Sequence, residues 1–115
     1  MNLPELPPGY DEIRFMTEVG KQLAKDFQIE GQTSAIMSEF SDWMLGELTA
    51  YPERLHASFY RLDLSEEIMK EAFSISPISE CAVFLAKMSI ERAALKVMLR
   101  ITFKLKNTPQ SGEDT

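Results

Sequence analysis

The stretch that decides the fold is ISECAVFLAKMSIERAALKVMLRITFK, residues 78–104. It holds no Gly and no Pro, and it is long enough for about seven helical turns. With side chains placed at about 100° per residue, it carries two apolar stripes. Cys81, Phe84, Met88, Leu95 and Leu99 lie along one, with Met98 at its edge. Val83, Ala86, Ile90, Ala94, Val97 and Ile101 lie along the other. On one side, between the stripes, runs a basic ridge at a spacing of four: Arg92, Lys96, Arg100 and Lys104. A helix that is apolar on two faces has to be covered on two faces. Its expected place is the centre of a helical bundle, with the basic ridge as its exit to water. Alternatively a second copy covers one stripe, and Val83, Ile90, Val97 and Ile101 then form the interface.

Upstream, Ser79 is the expected cap of this long helix, and Glu80 suits its positive end. SISPIS, residues 74–79, reads as a turn. Before it, Asp63-Leu-Ser-Glu66 is a capping signal with Asp63 or Ser65 as the cap. It starts a short helix to Phe73 that buries Leu64, Ile68, Ala72 and Phe73. Pro52 fits the first turn of another helix, reaching Arg61 or Leu62, with Thr49 as its cap and Leu55, Phe59 and Leu62 on one face. A helix from Ala35 to Leu48, capped by Thr33 or Ser34, precedes that, with Ile36, Met37, Phe40, Trp43, Met44 and Leu48 inward. Gly46 weakens it by about 1 kcal/mol relative to Ala, or marks a close helix approach. The first helix runs from Glu12, capped by Asp11, to Phe27, and Gly31 closes the unit. Its expected stripe is Ile13, Met16, Val19, Leu23 and Phe27, with Phe15 beside it. Glu18, Lys21, Lys25 and Asp26 are expected to face water.

Nothing alternates with a period of two, so the expected fold is all-α, a bundle of about five helices with the last and longest central. A chain of 115 residues is one domain by length. Residues 10–104 form it, after a Pro-rich extended or disordered lead-in over 1–9 and before a disordered polar tail over 105–115. Hydrophobic residues are 44% and charged residues 26%, which suits an ordinary globular core. The start, MNLPELPPGY, has no basic or apolar signal region, and Lys87 interrupts the most apolar run. The expectation is a cytoplasmic protein without a membrane span. The net charge of −6 disfavours nucleic acid. That charge is uneven: residues 1–78 carry 6 basic and 14 acidic side chains, and residues 79–106 carry 6 basic and 2 acidic. An acidic shell around a basic central helix is the favoured account; an open ridge for an anionic partner is the other.

Chemistry-bearing residues are few. The single cysteine, Cys81, excludes an intrachain disulfide and falls on an apolar stripe. Glu53 and His56 match the Glu-x-x-His spacing of di-iron bundles, but those need two such motifs and further glutamates. His56 is the only histidine, so no metal site, catalytic residue or cofactor is expected, and an enzyme is the less favoured reading. Arg61 and Asp63 flank a helix junction, and Glu91 and Arg92 lie midway along the long helix. Ion pairs across the bundle would use all four. A pocket in which Arg61 and Arg92 bind a carboxylate or phosphate is the functional alternative. Of the seven methionines, six fall within helices, where core filling is favoured over partner binding.

The run YRLDLSEE, residues 60–67, is followed by a long helix containing Ile90-Glu91-Arg92. This arrangement resembles small bacterial helical proteins of uncharacterised function, in which a Tyr-Arg-(Ile/Leu)-Asp segment precedes a helix with an Ile-Glu-Arg step. The likeness spans Leu55 to Arg100. It implies an all-α fold and a structural role for Arg61, Asp63 and Arg92, and it implies no activity. The sequence therefore points to a small helical interaction protein that associates with itself or with another protein. A sensor of an anionic ligand through Arg61 and Arg92 is the second reading.

Overall fold

A computed structural model describes residues 10–29 and 36–107; at 36–38 and 105–107 only the helical backbone is described. The expected lead-in, the Thr33 or Ser34 cap, Gly31 and the end of the tail lie outside these residues. The described chain is all-α: α1 (Glu12–Phe27), α2 (Ile36–Ala50), α3 (Pro52–Leu62), α4 (Glu66–Phe73) and α5 (Ile78–Asn107). Every other helix packs on α5, α2 most extensively. Its 30 residues make it about 45 Å long, which fits the 54 Å long axis of the molecule.

Several helix ends follow from local chemistry. Asp11 caps α1 by accepting the Ile13 N–H at 2.9 Å, and Ser65 caps α4 by accepting the Ile68 N–H at 3.2 Å. Pro52 opens α3, where a missing N–H costs nothing. Thr49 does not cap that helix. Its hydroxyl donates to the Leu45 carbonyl one turn back, and Tyr51 stands at the cap position without a side-chain bond. Ser79 is not the cap of α5 either, because the helix already starts at Ile78. There the N–H groups of Glu80 and Cys81 donate to the Pro77 carbonyl. At its other end α5 continues to Asn107, past the expected end at Lys104.

Aromatic residues join the first three helices. The Phe27 ring meets Phe40, Trp43 and Phe59 edge-on, with centroids 5.2, 5.6 and 5.7 Å away. Edge-to-face contact at this separation suits the ring quadrupoles. The core continues through Val19, Leu23, Met44, Leu55 and Leu62 to Leu85 and Val97 of α5. On α1 the inward face is turned relative to expectation. Phe15 is buried and Ile13 is 77% exposed, so the stripe runs Phe15, Val19, Leu23 and Phe27. Gly46 is exposed, and a Cβ there would meet nothing within 4 Å, so it marks no close approach.

Candidate functional site

The polar residues of α1, α3 and α5 form one connected system. A helix leaves its last carbonyls without intrahelical donors. α1 and α3 end alike, with Gln28 and Asp63 in the left-handed region at φ 56° and φ 65°. At α3, the Asp63 N–H donates to the Tyr60 carbonyl and the Leu64 N–H to the Phe59 carbonyl. Two carbonyls remain, and α5 supplies both donors. Lys96 Nζ reaches the Arg61 carbonyl at 3.1 Å, and Arg92 Nε reaches the Leu62 carbonyl at 3.1 Å. All four carbonyls left at the α3 end thus have partners. Arg61 in turn donates from Nε to the Asp26 carbonyl near the end of α1, at 2.8 Å.

The Asp26 side chain sits inside this junction, only 4% exposed. Its carboxylate accepts from Lys96 Nζ at 3.0 Å and from Gln22 Nε2 at 2.8 Å. The buried Gln22 accepts from Arg100 Nη1 at 2.7 Å. Three cations of the ridge, one per turn, thus serve α1 and α3 directly. The reason is electrostatic. Two helix C-termini and a buried carboxylate bring partial and full negative charge together, and cations offset it at close range. Asp26, expected at the surface, is the residue that most changes the reading of α1.

This geometry locates the sequence-derived candidates. Arg61 and Arg92 each bond a helix-end carbonyl. Arg61 further donates to Ser58 Oγ at 3.1 Å, and Arg92 Nη2 pairs with Asp63 at 3.1 Å. The expected pairing of Glu91 and Arg92 with the α3 junction is present for Arg92, through Asp63. Among the expected interface residues, Ile90 and Val97 lie within the chain's own core, Ile101 is half-buried against it, and Val83 is 55% exposed. The stripe nominated for a partner is therefore largely covered from within.

The other stripe is the more open. Leu95 is 39% exposed and Leu99 56% exposed, and Phe84 and Met88 are half-buried beside them. Sequence reasoning found both stripes and nominated the Val83, Ile90, Val97 and Ile101 stripe for the partner. Cys81, at the start of the more open stripe, is buried, and burial raises its thiol pKa, which disfavours the thiolate. Glu53 and His56 are both exposed on α3. Among the described residues, no three His, Cys, Asp or Glu side chains gather in a way that would hold a metal ion. No described helix is long and apolar enough to cross a membrane.

Two of the clefts among the described residues bear on function. One, of about 370 Å³, lies between α1, α2 and α3 and is lined by Trp43, Glu47, Arg54 and Ser58 among others. Its charges satisfy each other: Arg54 Nη2 pairs with Glu47 at 3.1 Å, and the guanidinium lies 3.9 Å from the Tyr51 ring centroid. The other, of about 360 Å³, lies between the first turns of α1 and the last turns of α5. Set against models of protein families, characterised proteins and solved structures, the chain matches none.

Proposed function

We propose that this chain is a small cytoplasmic interaction protein that pairs with a second copy of itself along the Phe84, Met88, Leu95 and Leu99 flank of α5. The observation that supports it is the exposure of that flank, together with its self-complementary spacing. In an antiparallel pair of α5 helices, the two-fold axis would pass between Glu91 and Arg92. Phe84 of one copy then faces Leu99 of the other, and Met88 faces Leu95. Each large apolar residue meets another, as an isologous contact requires. The same operation sets Glu91 opposite Arg92, so charges at the axis are of opposite sign.

The test is mass in solution by light scattering after size exclusion, at low and high salt. The expected result is a salt-insensitive dimer, reduced to a monomer of unchanged helicity by Leu95→Glu. Val83→Glu changes an exposed residue of the other stripe and is expected to leave the dimer intact. A monomeric natural chain, or a dimer that survives Leu95→Glu, overturns the proposal.

A further inference from the structure

The cleft between α1 and α5 differs from its neighbour in charge. Its walls carry Arg14, Arg100 and Lys104 against the single carboxylate of Glu18, and Val97 and Ile101 form its apolar side. Glu18 lies 3.4 Å from Lys21 on its own helix. The Arg14 guanidinium lies over the Tyr10 ring, 5.6 Å from its centroid. A guanidinium held by its face keeps its N–H edge for acceptors in the ring plane. Arg100 is anchored differently, through one N–H given to Gln22. A guanidinium has five N–H groups, so this anchor fixes its direction without exhausting its donors. Two arginines held in place by other contacts thus line the same cleft as an apolar patch, in a protein whose net charge is −6. Locally focused positive potential on an acidic surface selects anions.

We infer that this cleft is a binding site for a small organic anion, one with a carboxylate or phosphate head and an apolar body. Arg14 and Arg100 hold the head, and Ile101 and the Tyr10 ring receive the body. The volume lies at the low end of ligand pockets, which favours a compact metabolite. By helical position the cleft lies about half a turn around α5 from the Leu95 and Leu99 flank, so it stays open when that flank is covered.

The experiment is calorimetric titration of the full chain with octanoate as the probe, with octanol and inorganic phosphate as separate arms. Octanoate is expected to saturate. Octanol, which lacks the charge, and phosphate, which lacks the apolar body, are each expected to bind at least about tenfold more weakly. Arg14→Gln is expected to weaken octanoate by about tenfold, the loss of one charge-assisted bond. Arg14 is exposed and its described contact is the Tyr10 ring, so this variant keeps the fold and remains informative if Arg100→Gln is unstable. Arg54→Gln, in the other cleft, is the control expected to change nothing. Absent saturation, equal binding of octanol, or octanoate binding unchanged in Arg14→Gln overturns the inference.

Discussion

Over residues 92–99, the two flanks of α5 reverse the usual division of labour. Lys96 and Arg92, on the charged flank, are half-buried, whereas Leu95 and Leu99, on the apolar flank, are exposed. The charged flank faces two helix ends that cannot satisfy themselves. The apolar flank faces no such demand. Residue type alone did not assign inside and outside here; the direction in which α1 and α3 end did. Negative helix ends aimed at a neighbouring helix require cations on it, and those cations then lie within the fold.

The sharpest way to break this contrast is to remove the carboxylate at the junction. Asp26→Ala leaves the Lys96 ammonium without its charge partner and Gln22 without its acceptor. The expected cost is about 3 kcal/mol, somewhat discounted because Lys96 keeps partial access to water. Chemical denaturation would show it as a lower midpoint. Lys96→Met added to Asp26→Ala should recover part of the loss, since no unpaired charge then remains. A double-variant cost equal to the sum of the singles would mean that the pair is uncoupled.

A smaller effect is expected two turns before Lys96, on the same face of α5. Ser89 is fully buried, and its hydroxyl has no hydrogen-bond partner among the described residues. Ser89→Ala should therefore raise stability by about 1 kcal/mol, a gain readable as a higher melting temperature. A loss instead would show that the hydroxyl has an acceptor after all. The smallest effect belongs to the open flank. Leu99→Gln should leave monomer stability within about 0.5 kcal/mol of the natural chain, measured at dilution. A large loss there would mean that Leu99 belongs to the core and that the flank is no flank at all.

Helix existence was legible in the sequence because the signals were local. Asp11, Pro52 and Ser65 act on their own first turns, and they start helices where expected. The choice of face was harder, since it depends on what lies opposite. The buried side of α5 moves from Cys81, Ala82, Leu85, Ala86, Ser89 and Ile90 in its first half to Ala93, Ala94, Val97 and Met98 in its second. This is about a quarter turn, and it arises where one helix meets several partners in succession. A single moment taken over the whole helix averages the two directions away. Asp26 was illegible for a related reason. Its polarity suggests water, and its burial follows only once Lys96, 70 positions away, arrives to pair with it. The basic ridge itself was visible from its spacing of four, and internal complementarity was the favoured account of it. Its particular acceptors, two of them backbone carbonyls, carry no signature in residue type.

The order of the helices has a consequence for how the chain is made. α5 is the element on which all the others pack, and it follows them in sequence. A ribosome therefore releases α1 to α4 before it releases their common support. In that interval Phe27, Phe40 and Phe59 can find one another, but the carbonyls of Arg61 and Leu62 must stay with water. Folding of this bundle is held back until α5 emerges, and a nascent chain stalled before Pro77 would be a client for chaperones.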